Sequence, residues 1–109
     1  PNQPLMIRLY LSTAALLIAP ILEEIVFRGI ALPGLLKQSS RTFSIVAVSA
    51  VFALIHFHLP SAPALFVIAV ACSLAYLKTG SIFVPIIMHA TFNGTTLLVL
   101  YLQTLQPAG

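Results

Sequence analysis

The chain has 109 residues, of which 60% are hydrophobic and only 6% charged, against roughly 25% charged residues in an ordinary soluble domain. With a mean hydropathy of +1.08, such a chain belongs in lipid. Its formal charge of +3 rests on Arg8, Arg28, Lys37, Arg41 and Lys78, scattered without a run, so no nucleic-acid surface is expected. The single cysteine, Cys72, excludes an internal disulfide and a multi-cysteine metal site.

Four apolar stretches, each near the ~20 residues that cross a hydrocarbon core of ~30 Å, predict an all-α, polytopic bundle of about four membrane helices over residues 1–109. The chain starts Pro1-Asn2-Gln3-Pro4 without an initiator Met, which reads as a piece of a longer protein. The first helix runs from about Leu5 through Glu23 and either continues or breaks and resumes as far as Leu36. Pro20, Gly29 and Pro33-Gly34 are the kink points, and Phe27 to Leu36 is the candidate for a separate short interfacial helix.

After a polar turn at Lys37 to Arg41, a second span is expected from Thr42 to Leu59, stopped by Pro60 and Pro63. A third covers Ala64 to Leu77, with Gly80 as its C-cap. Ser81 is the expected N-cap of a fourth, Ile82 to about Leu102. Small residues four apart, Ser49/Ala53, Ala69/Ser73 and Ala71/Ala75, allow close helix contact in lipid. The two turns holding Lys37, Arg41 and Lys78 share one side, which the positive-inside rule makes cytoplasmic.

Six polar side chains interrupt these apolar helices: Glu23, Glu24, Arg28, His56, His89 and Asn93. A charge near mid-bilayer costs at least ~2.5 kcal/mol, so they require a shared polar interior. At 1.5 Å per residue from the basic turns, Glu23 lies roughly 20 Å deep, His56 roughly 21 Å, His89 roughly 12 Å and Asn93 roughly 18 Å. One broad layer results, reached from the cytoplasmic turns or laterally from the adjoining leaflet.

Glu24 and Arg28 share a helix face, as do Phe52 and His56, and His89 and Asn93. Glu24 with Arg28 reads equally as an ion pair within one helix or as part of a site. Glu23 has no local cation, which suits a general base. His56 and His89 could each be hydrogen-bonded core histidines, and Asn93 alone reads as helix-packing glue. His58, two positions from His56, faces elsewhere and is expected at the interface.

Glu23-Glu24-Ile25-Val26-Phe27-Arg28 resembles an EExxxR motif, Phe52 to His56 an FxxxH motif, and His89 to Asn93 an HxxxN motif. All three, in this order, are those of the CPBP-type (CAAX protease and bacteriocin-processing, Abi) membrane peptidases, and the resemblance spans Glu23 to Asn93. Members usually carry further membrane helices before this core. The resemblance implies an endopeptidase acting on a lipidated or membrane-embedded peptide, in which Glu23 with His56 activates water and His89 and Asn93 stabilise the oxyanion. Glu24 and Arg28 would support them.

Glu23, His56 and His89 could also supply the His₂Glu ligands of a catalytic zinc. There is no HExxH, however, and the family resemblance implies metal-free, glutamate-dependent hydrolysis, so no cofactor is expected. Two other classes remain open: an ion or proton transporter, since buried Glu and His chains mark proton paths, and a noncatalytic scaffold or self-immunity protein. Membrane lipids and a membrane peptide are the expected partners, in a bacterial plasma membrane.

Overall fold

A computed structural model describes residues 3–109, and among them every regular element is helical. Helix α1 is continuous over Leu5–Leu36, about 48 Å at 1.5 Å per residue. The other helices are α2 (Arg41–Leu54), α3 (Ala62–Thr79) and α4 (Phe83–Thr104). Three of the four, α1, α3 and α4, are long and apolar enough to cross a membrane, and α2 is a shorter apolar helix. The expected all-α membrane bundle is therefore present.

The segment Phe27 to Leu36 is not a separate helix but the end of α1. Two interior prolines are accommodated because the helix widens before each of them. Proline lacks an N–H, and its ring clashes with the carbonyl four residues back. Those carbonyls belong to Leu16 and Gly29, which lie inside the two π-helical stretches, Ala14–Ile18 and Ile25–Ala31. In a π turn the hydrogen bond reaches five residues back, as Ala19 N–H does to Ala14 and Leu32 N–H to Phe27.

The chain folds back and forth. Helix α1 packs on α4 through Ala14 to Glu24 and on α2 and α3 through Ile25 to Leu36, while α2 and α3 form the most extensive pairing. Helices α1 and α4 run antiparallel: Glu24 meets His89, Ala15 meets Asn93, and a Cβ on Gly94 would come 3.3 Å from Leu16. The buried cluster joins Phe27 and Leu32 of α1, Ile45, Val48 and Phe52 of α2, and Ala69 of α3. Lipid tails are as apolar as these side chains, so close van der Waals fit, rather than escape from water, holds such a cluster together. Small residues serve that fit, and Ser49, Ala53, Ala69 and Ser73 are all buried. The outer surface is apolar, with Leu9, Ile18, Ile30, Val67 and Leu98 among many exposed large side chains.

Three boundaries differ from expectation. Helix α2 begins on Ser40, whose hydroxyl accepts the Phe43 N–H at 3.2 Å, and it stops at Leu54 instead of Leu59. Phe57 then adopts a left-handed φ of 51° with its side chain 94% exposed, and a single 3₁₀ turn, Leu59–Ser61, leads into α3. Gly80, at φ 69°, closes α3 as expected and returns its N–H to the Tyr76 carbonyl at 2.8 Å. Ser81 does not cap α4. Ile82 occupies that position without a side-chain bond, and the Ser81 N–H donates to the Thr79 hydroxyl at 3.3 Å.

Candidate active site

The early end of α2 places His56. A helix leaves its last carbonyls without partners, and the His56 ring takes one of them, its Nδ1 lying 2.6 Å from the Phe52 carbonyl. Since a carbonyl only accepts, Nδ1 carries the hydrogen, and in a neutral ring Nε2 is then an acceptor. That Nε2 lies 4.0 Å from Glu23 Oε1. The two side chains are about 30% exposed, whereas the rest of the cluster is closed off.

Behind Glu23 stands a buried relay of contacts. His89 Nε2 is 3.2 Å from Glu23 Oε2, and its Nδ1 is 2.9 Å from Glu24 Oε1. Successive residues on a helix point about 100° apart, yet one imidazole spans Glu23 and Glu24 with its two nitrogens. Glu24 Oε1 also accepts from Arg28 Nη1 at 3.0 Å. Glu24 and Arg28 are both fully buried. The expected intrahelical ion pair is thus real, but it is also tied through His89 to Glu23.

Phe52 sits at the centre of this group. Its ring makes edge contacts with Phe27 at 5.3 Å and His89 at 5.4 Å, lies 5.0 Å from the His56 ring, and has the Arg28 guanidinium 5.0 Å from its centroid. Cation–π attraction strengthens where water is excluded, so Phe52 helps to hold a buried cation as well as both histidines.

Asn93 is placed by Pro20. Ala19 spends its N–H on Ala14, and Pro20 has none, so neither supplies a partner to the Ala15 carbonyl. The Asn93 amide donates to it at 2.9 Å and keeps a second N–H free. Pro20→Ala would offer Ala15 a backbone donor in competition with Asn93. For the peptide cleavage that the motif resemblance implies, the expected result is a fall of up to about tenfold, the worth of one net hydrogen bond, while the melting temperature does not drop. Unchanged turnover would show that Asn93 needs no such anchor.

Glu23, His56, His89 and Asn93 all line one cavity of about 610 Å³, whose remaining wall includes Ala15, Ala64, Leu65, Phe92 and Leu97. All four candidate residues are therefore brought together, with Glu24 and Arg28 packed behind. The cavity also reaches His58, Pro60 and Ser61, at the end of α2 and α3 opposite the basic turns. The cavity is lined from that end, not from the basic turns where approach was expected. His58 pairs with the Ser61 hydroxyl and stands at the cavity wall, outside the bonded group. Among the described residues, no three His, Cys, Asp or Glu side chains are arranged to hold a metal ion.

Ser73 and the Ala69 carbonyl are the site-supporting groups that motif reading missed. Arg28 donates Nε to Ser73 Oγ at 3.3 Å and Nη2 to Ala69 O at 2.6 Å. Their four-residue spacing signalled only close packing.

A paired carboxylate and two imidazoles at a cavity inside an apolar bundle define a membrane-embedded site equipped for acid–base chemistry. Residues 5–95 match the family model described as type II CAAX prenyl endopeptidase Rce1-like. The chain belongs to this family of the CPBP group, which places it among integral membrane endopeptidases. Comparisons with curated proteins and with solved structures find no match.

Proposed function

We propose that the chain is a glutamate-dependent intramembrane endopeptidase that hydrolyses a peptide bond in a lipidated or membrane-embedded substrate. The observation that carries this reading is the Glu23 carboxylate, held between His56 and His89 at the wall of the cavity. The 4.0 Å between Glu23 Oε1 and His56 Nε2 is too long for a direct bond but fits two acceptors sharing one water molecule. Such a water donates both its hydrogens to the protein and turns its lone pairs toward the cavity. Attack on the substrate carbonyl forms the C–O bond as Glu23 takes the proton, and that proton then passes to the leaving amine as the C–N bond breaks.

The oxyanion falls to His89 and to the free N–H of Asn93. With carboxylate oxygens at both ring nitrogens, His89 donates from both in its imidazolium form. That charge and Arg28 balance Glu23 and Glu24, leaving the four groups neutral overall, the least costly state in lipid. When Glu23 accepts the water's proton it loses its hold on His89 Nε2, which is then free to donate to the new oxyanion. Asn93→Ala removes one donor and is expected to lower kcat by about 10²-fold with little change in KM; a rise in KM with kcat unchanged would assign Asn93 to substrate binding instead.

No metal takes part in this mechanism, a reading supported by a donor arrangement in which both His89 nitrogens already face carboxylates. The test is a digest of a membrane-peptide library by the wild-type protein, with and without a strong chelator. Cleavage unaffected by chelator supports the proposal; cleavage abolished by chelator and restored by zinc overturns it. The proposed setting is a bacterial plasma membrane, with the turns holding Lys37, Arg41 and Lys78 facing the cytoplasm, an orientation that the positive-inside rule supports.

A further inference from the structure

We propose that Ser73 is a positioning residue for this reaction, setting the orientation of His89 through Arg28 and Glu24 without touching substrate. The inference rests on the peptidase reading above. Helix α3 carries none of the motif residues, yet it holds two of the three guanidinium nitrogens of Arg28, through Ser73 Oγ and Ala69 O. The guanidinium is a rigid plane. Fixing its Nε and Nη2 edges, with the Phe52 ring 5.0 Å away, determines where Nη1 points.

Nη1 points at Glu24 Oε1, and so does His89 Nδ1. Glu24 Oε2 is buried without any hydrogen-bond partner. The carboxylate is therefore held by one oxygen, shared between Arg28 and His89. This is an unusual choice, because an arginine and a carboxylate alone prefer a two-bond, fork-to-fork pairing. A two-bond pairing must use Nη2 beside Nη1 or Nε, and the Ala69 carbonyl on Nη2 together with Ser73 on Nε holds that edge away from Glu24. Without the Ser73 hydroxyl, that edge keeps only its bond to Ala69 O, and the guanidinium can pivot so that Nη1 and Nη2 approach both carboxylate oxygens and draw Glu24 away from His89. The imidazole then loses the anchor that aims Nε2 at Glu23 and at the oxyanion position.

Ser49 supplies the comparison. It is equally buried, on α2, and its hydroxyl has no partner. Ser73→Ala and Ser49→Ala remove the same atom from equally closed surroundings, and only the first cuts the chain to His89. We expect Ser73→Ala to lower kcat about 3- to 10-fold with KM unchanged, and Ser49→Ala to leave both constants alone. Ser73→Cys, of similar size but a weak acceptor, should behave as the alanine variant and serves if that variant does not fold.

The ¹⁵N resonances of the His89 ring, recorded in lipid nanodiscs, read the chain without reference to turnover. They should move in Ser73→Ala and stay in place in Ser49→Ala. Full activity of Ser73→Cys, matched losses in the two alanine variants, or unmoved His89 resonances would overturn the role of Ser73. If the wild-type protein cleaves nothing, the peptidase reading fails, and the His89 resonances still decide whether Ser73 positions that ring.

Discussion

Replacing Glu23 by Gln is expected to lower kcat/KM by at least about 10³-fold, with substrate binding retained. The amide is the same size and keeps one acceptor oxygen, so the cavity and its lipid-facing shell are preserved. What is lost is the ability to take a proton from water, and general-base catalysis alone is worth about 10²–10⁴-fold. A second loss adds to it. The Gln NH₂ can face His89 Nε2, 3.2 Å from the native Oε2, and two donors then meet. His56→Ala should cost less, since it removes one of two groups holding the water and leaves the base in place. Single-turnover cleavage of a fluorogenic membrane peptide measures both. A Glu23→Gln enzyme with more than a tenth of wild-type turnover would remove Glu23 from the role of base.

The largest effect on stability is expected from Arg28→Met. The thioether fills much of the space, but it leaves the Glu24 carboxylate buried with only His89 to face, and breaking a buried ion pair typically costs about 3–5 kcal/mol. Ser73 Oγ and Ala69 O lose their donor as well. The variant should show a broad, early melting transition in detergent and poor monodispersity. Glu24→Gln combined with Arg28→Met should recover part of the loss, because no unpaired charge then remains. A double variant less stable than Arg28→Met would mean that Glu24 is held chiefly by contacts other than the Arg28 pair.

The membrane class and the clustering of the candidate residues were legible because both leave marks that need no tertiary information. Twenty-residue apolar stretches report spans, and a charged or imidazole side chain inside one has few harmless explanations in lipid. Helix ends were less legible. Ile55, Phe57 and Leu59 are apolar and extend the hydropathy of α2, but the chain turns at Phe57 once the His56 ring has taken the Phe52 carbonyl. Pro20 and Pro33 looked like breaks, and π turns absorb them. The support from α3 was hidden for a different reason: a serine and a backbone carbonyl as partners of Arg28 have no signature in spacing, and only the packed bundle reveals them.

The short α2 has a consequence for water supply. Its 14 residues span about 21 Å, some 9 Å less than a typical hydrocarbon core, while α1 and α4 continue past its end. Hydrophobic mismatch of this kind is met by local thinning of the bilayer or by wetting of the shortfall. The segment that lies there carries His56, His58 and Ser61, and such groups draw water defects toward them. A bilayer thinned or wetted at this end would let solvent refill the cavity after each turnover without crossing the full apolar layer.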